Sequence, residues 1–144
     1  MYAEHGALSP DAVHVVWVFN QIELTERLLP LVLSDLERTT GLRPTPHVDD
    51  YEGCCVRITI DDHWNLPAMS AAPHDDAQGL VDIADYFQDL YHQSDGAAGS
   101  IWPICPQDGF GLHAELTATP SQTPAAVWRC HPFDHDVPIG ELGR

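Results

Sequence analysis

The stretch Trp102–Leu142 reads WPICPQDGFGLHAELTATPSQTPAAVWRCHPFDHDVPIGEL, and its reading decides how the chain ends and what chemistry it carries. Two strand-like runs, Leu112–Thr117 and Ala126–Cys130, are separated by an Ala/Pro/Thr-rich turn, which predicts a β-hairpin. Two Cys/His pairs flank that hairpin, Cys105 with His113 and Cys130 with His135. Zinc takes about four nitrogen or sulfur ligands at tetrahedral corners, and proteins supply them as short-spaced pairs on turns. Four residues lie between Cys130 and His135, a normal spacing. Seven lie between Cys105 and His113, a longer reach that Gly109 and Gly111 let the loop bridge. Asp108 stands at the conventional distance from Cys105 and is the alternate to His113, as His131 is to His135.

Three arrangements stay open on this pattern. In the first, Cys105, His113, Cys130 and His135 hold a structural Zn2+ in a zinc-ribbon-like knot. In the second, the thiols remain reduced and Trp102, Ile104, Trp128 and Ile139 pack on the preceding helix. In the third, Cys105 and Cys130 form a disulfide, worth roughly 3 kcal/mol on the loop-entropy account. Structural zinc in finger peptides is worth on the order of 10–16 kcal/mol, against a net domain stability of about 5–15 kcal/mol. A ribbon this poor in apolar residues would depend on a metal to fold.

The same run resembles a family of small, functionally uncharacterised bacterial proteins whose pattern is WPxCP…H…VWxC…IGEL. The matching residues are Trp102, Pro103, Cys105, Pro106, His113, Val127, Trp128, Cys130, Ile139, Gly140 and Leu142. The upstream helix LVDIADYFQDLYHQ is similar as well, so the resemblance spans roughly the last 65 residues. The chain departs from the pattern at Asp108, where the family tends to have histidine, and at His131, which is commonly proline. The resemblance implies a domain with a Cys/His knot and no particular activity.

Upstream of the ribbon, Ala12–Phe19 (AVHVVWVF) is apolar and β-branched and predicts a buried strand. Asn20 then caps a helix whose apolar stripe runs from Ile22 through Leu36 to Thr40, with Gly41 closing it. Pro30 predicts a kink or a second start within that helix. Arg43–Gly53 reads as loop, Cys55–Asp61 alternates as a half-buried strand, and Asp62–Pro73 reads as loop again. Asp75 or Asp76 caps a second helix ending near Gln93, with Leu80, Ile83, Ala84, Phe87, Leu90 and Tyr91 on one face. Cys54 and Cys55 are adjacent and point to opposite faces of a strand, so they read as two unrelated thiols. The expectation is a single α+β domain. It has a small sheet and two main helices over residues 1–100, and a Cys/His hairpin tail over 101–144 packed on them.

Charge sets the functional classes. The chain holds 22 Asp and Glu against six Arg and no Lys, for a net charge of −16. Between Arg57 and Arg129 there are ten carboxylates and no fixed cation. Such a field repels nucleic acid and anionic membranes and attracts basic proteins. Lysine chemistry is excluded outright, and no Gly-rich phosphate loop, HExxH or nucleophile elbow is present. Asp82, Asp85 and Asp89 fall in one arc of the second helix, opposite its apolar face, and are the expected partner contacts. The residues Met1–His14 show no basic n-region and no continuous apolar h-region. The longest apolar runs, Val15–Phe19 and Leu28–Leu33, are too short to span a bilayer, so a cytoplasmic location is the expectation. The function expected is therefore a non-enzymatic acidic binding module, such as an inhibitor, immunity factor, adaptor or accessory subunit, that engages a basic protein surface. The alternative is a small metal-dependent hydrolase built from the His/Asp loop clusters at His47–Asp50, Asp61–His63, His74–Asp76 and His131–Asp136.

Overall fold

A computed structural model describes residues 10–51, 55–60, 64–65, 75–93, 101–117 and 123–144. Two helices and two small antiparallel sheets make an α+β domain, in the order α1 (Pro10–Thr40), β1 (Pro46–Tyr51), β2 (Cys55–Ile60), β3 (Trp64–Asn65), α2 (Asp76–Gln93), β4 (His113–Leu116), β5 (Ala126–Cys130) and β6 (His135–Pro138). The first sheet has the order β1-β2-β3 and the second β4-β5-β6.

The run expected to be a strand, Ala12–Phe19, lies instead in the first turns of α1. A short apolar run fits a strand and a buried helix equally well. Neither Gly nor Pro separates Phe19 from the amphipathic stripe that follows, so one cooperative helix runs through both. Asn20 is accordingly internal to α1 and not its cap. Pro30 also sits inside this one helix, with its ring on the exposed side. Gly41, at φ 80°, ends the helix and donates its amide to the Glu37 carbonyl at 2.8 Å.

A second correction concerns Arg43–Gly53, expected as loop, in which Pro46–Tyr51 forms β1. Proline is tolerated at the first position of a strand. The carboxylate that argued for loop is neutralised across the ladder, because Asp49 pairs in register with Arg57. Arg57 donates to both carboxylate oxygens of Asp49, at 2.8 and 3.1 Å. Val48 faces Ile58 one pair along, and Ile58 is fully buried.

Helix α2 begins as its sequence predicts. Asp75 is the cap, its carboxylate accepting from the Gln78 amide at 2.9 Å and its carbonyl from the Gly79 amide at 2.9 Å. Gly79 lets α1 come close, since a Cβ there would meet Leu24 Cδ2 at 3.0 Å. Leu80, Ile83, Ala84, Phe87, Leu90 and Tyr91 are all buried, against Leu24, Leu28, Leu29, Val32 and Leu36 of α1. Burial of a side chain such as Phe87 stabilises the fold by about 1.5–3 kcal/mol.

The C-terminal segment closes this core. Trp102 sits edge-on to Phe87 (5.8 Å between centroids) and to Trp128 (5.5 Å), and tilted against Tyr91 (5.6 Å). Leu112, Val127, Ile139 and Leu142 are buried with it. The expected hairpin is present as β4 and β5, with Ala114 opposite Trp128. Strand β6 extends it to three strands, with Trp128 opposite Val137.

One buried carboxylate ties the tail to α1. Asp35, with no solvent exposure, accepts four hydrogen bonds. The Trp128 indole (2.8 Å) and the Gly140 amide (2.7 Å) reach Oδ2, and the Leu142 amide (2.9 Å) and Arg38 (2.8 Å) reach Oδ1. Arg38 also donates from Nε to the Leu142 carbonyl at 2.8 Å and from its guanidinium to the Gly140 carbonyl. Gly140 has φ 105°, and a Cβ there would meet Leu31 Cδ2 of α1 at 3.1 Å, so a side chain would be strained. The motif residues Trp128, Gly140 and Leu142 thus meet at one acid on α1.

Candidate metal centre

Two turns are built to face each other. The first runs from Cys105 to Phe110, and the Ile104–Gly111 bridge draws its ends together. The Gly109 amide donates to the Cys105 carbonyl at 2.9 Å, and the Cys105 amide to the Phe110 carbonyl at 2.7 Å. Gly109 takes φ 81°, as this reversal requires. Asp108 Oδ1 accepts from the Phe110 amide at 2.8 Å, which leaves Oδ2 pointing into the turn's other contacts. In the second turn, β5 ends at Cys130 and β6 starts at His135, and the two residues are register partners. Cross-strand partners share a face of the sheet, so the four-residue spacing noted in the sequence becomes a direct Cys/His pair.

The two turns bring Cys105, Asp108, Cys130 and His135 together, with one candidate ligand atom of each within 4.8 Å of all the others. Cys130 Sγ donates to Asp108 Oδ2 at 3.1 Å, and His135 Nε2 lies 3.2 Å from the same oxygen. Cys105 Sγ is 3.5 Å from His135 Nε2. Both cysteines are free and buried, whereas Asp108 and His135 are half-buried. Burial pushes the Cys130 thiol up to about 11, helped by the neighbouring Asp108 carboxylate and opposed by the Phe133 backbone amide that donates to the sulfur. Burial works against the Asp108 carboxylate too. The Phe110 amide, both thiols and His135 outweigh it, and Asp108 stays below the usual carboxylate range. Two sulfurs, an imidazole and a carboxylate at such separations form a donor set that suits a borderline-soft divalent metal.

His113 and His131, the other candidates, lie elsewhere. His113 opens β4 opposite Arg129. Arg129 and Cys130 are consecutive in a strand and point to opposite faces, so His113 occupies the face away from the sulfur. There its ring rests against that of His131, 5.6 Å between centroids, and His131 bonds Glu115. Asp108, read as the alternate, stands in the group where His113 was expected.

On α2, Asp85 and Asp89 are exposed, while Asp82 is half-buried and accepts from Gln78 Nε2 at 3.0 Å. Although Asp85 is exposed overall, partial desolvation of its carboxyl raises its pKa, as does repulsion from Asp89 and Asp82, with His113 acting in the opposite direction. Arg27, Arg38, Arg43, Arg57 and Arg129 each pair with a carboxylate outside this row: Asp76, Asp35, Glu37, Asp49, and Asp134 with Asp136.

The His/Asp loop clusters do not converge among the described residues. Asp49 is held by Arg57, with His47 Nε2 3.5 Å from it. Asp75 caps α2, and Asp76 pairs with Arg27 at 2.5 Å. Asp61, Asp62, His63 and His74 lie outside the described residues, as does Cys54. A cleft of about 250 Å³ between α1 and β1 is lined by Glu26, Leu29, Pro30, Pro46, His47 and Val48, none of which belongs to the Cys/His group.

Asp35 carries little mark in the sequence. The signal was an acid set next to Leu36 and three residues after Val32, on the apolar side of a helix. Gln88 is another such residue: buried on α2, it donates to the Trp102 carbonyl at 3.1 Å and the Leu112 carbonyl at 2.8 Å, and so fixes where the first turn begins. No helix among the described residues is long and apolar enough to cross a membrane. A scan of family models gives no match, and no curated protein or solved structure matches the chain.

Proposed function

We propose that this chain is a non-catalytic acidic binding module whose C-terminal sheet is knotted by one zinc ion held by Cys105, Asp108, Cys130 and His135. The observation that carries the metal reading is the convergence of these four groups, from two separate turns, within 4.8 Å. Four protein ligands fill a tetrahedron, the pattern of a structural site, whereas catalytic zinc keeps a position open for water or substrate. Thiolates with imidazole favour zinc over the oxygen-seeking magnesium and calcium ions. The partner reading rests on the charge of −16 and on the α2 carboxylates Asp82, Asp85 and Asp89, gathered on one arc of the helix. A basic protein surface is the complement of that field, met through Asp82, Asp85 and Asp89.

Elemental analysis of protein purified without added metal tests the knot. One zinc per chain, lost in Cys130→Ser, is the expected result, and replacement by cobalt should give the absorption of a two-sulfur tetrahedral site. A folded, metal-free chain that takes up no added zinc overturns it. Proteins that co-purify at low salt and elute as salt rises test the acidic face. Affinity that stays flat across that range overturns electrostatic recognition, since exposed charges are screened beyond about 8–10 Å at physiological salt.

A further inference from the structure

The two turns that carry the metal ligands each present one exposed aromatic ring, and the rings touch. Phe110 is 51% exposed and Phe133 58%, with centroids 5.7 Å apart and planes tilted by 44°. Both sit within the turns that carry the candidate ligands. The Phe110 amide donates to the Asp108 carboxylate and its carbonyl accepts from the Cys105 amide, and Phe133 stands in the turn between the register partners Cys130 and His135. Asp134, next to Phe133, takes φ 53° in the turn, and its side chain is 80% exposed even with Arg129 beside it.

We propose that the Phe110–Phe133 ring pair is a docking point for an arginine-bearing basic segment of a partner protein, held in shape by the metal knot. The inference rests on the proposed zinc-bound acidic module and names where and how it meets its partner. Two exposed rings side by side offer π-faces that attract a cation, and a guanidinium stacks on such a face better than an ammonium does. The chain's −16 charge draws a cationic segment toward them. A second copy of the chain is a poor occupant because it carries the same charge. A stable dimer also buries about 800 Å² per partner, far more than two half-exposed phenyl rings present.

The test uses two synthetic probes of equal charge, one alternating Arg with Ser and one alternating Lys with Ser, titrated calorimetrically into the zinc-loaded full chain. The Arg peptide should bind about two- to fivefold more tightly than the Lys peptide. Phe110→Ala/Phe133→Ala should bring that ratio to about 1 while leaving the salt-dependent binding of both peptides. Asp82→Asn/Asp85→Asn/Asp89→Asn should weaken both peptides alike and keep the ratio. Removing the metal with a chelator should also abolish the preference, and ring resonances of both phenylalanines should shift on adding the Arg peptide. Should the alanine pair fail to fold, Phe110→Leu/Phe133→Leu keeps the apolar bulk and removes the π-faces. Equal binding of the two peptides, or a preference that survives loss of the rings, overturns the ring pair alone. A preference untouched by chelation overturns its dependence on the metal. Binding of neither peptide at low salt overturns the acidic-module reading and the ring pair with it.

Discussion

At the scale of single residues, Asp35 and the Cys105 group carry the opposite consequences of burying polar atoms. Asp35 lies in a dry place, and burial raises its pKa while the Gly140 amide, the Trp128 indole, the Leu142 amide and Arg38 pull it down. All four donors need acceptor oxygen, and Asp35→Asn would set an NH2 against two of them. Denaturant unfolding of that variant should show a loss of about 2–4 kcal/mol, the cost of leaving buried donors and the Arg38 charge unmatched. The metal group yields a sharper contrast. On the proposed zinc reading, His135→Ala should abolish metal binding, whereas His113→Ala should leave one zinc per chain, because the face alternation of β5 sends His113 away from Cys130. Metal content by mass spectrometry under native conditions distinguishes the two. Spacing along the chain made both histidines reasonable ligands. Strand register, invisible in the spacing, separates them.

At the scale of elements, the two helices differ in how openly the sequence declares them. Helix α2 has a cap, one apolar face and an end signal, and Asp76–Gln93 follows. Helix α1 begins in an apolar run with no polar face to set its period, so strand and helix readings compete there and the longer cooperative unit wins. Strand β1 was hidden for a different reason: His47, Asp49 and Asp50 look like loop until Arg57 is placed opposite Asp49. That pairing has a pH signature. The Arg57 hydrogen bonds hold the Asp49 carboxyl below its usual range. A carboxyl lowered in the fold contributes stability above its unfolded pKa and loses that contribution as the pH falls through its folded value. The stability difference between the wild-type chain and Asp49→Asn should therefore be largest near neutrality and shrink toward zero in strong acid, as read from urea midpoints across pH.

At the scale of the whole molecule, one hydrophobic core joins α1, α2 and the β4-β5-β6 sheet, around Trp102 and Trp128. The charge of −16 works against that compactness through self-repulsion. Raising the ionic strength from about 10 mM to about 150 mM contracts the screening length from roughly 30 Å to 8 Å. The melting temperature of the chain alone should rise with sodium chloride over this range, while affinity for a basic partner falls. A melting temperature that drops with salt would mean that the arginine pairs outweigh the repulsion.

By itself the sequence determined the α+β class, the second helix, the Cys/His hairpin and the sign of the field, because each follows from local periodicity, turn chemistry or a sum of charges. Only the tertiary structure decided which fourth group joins Cys105, Cys130 and His135, that Ala12–Phe19 is helix, and that Asp35 ties the tail to α1. Those outcomes depend on register and on contacts between residues as many as about a hundred positions apart, and such contacts leave no trace in the spacing of neighbours.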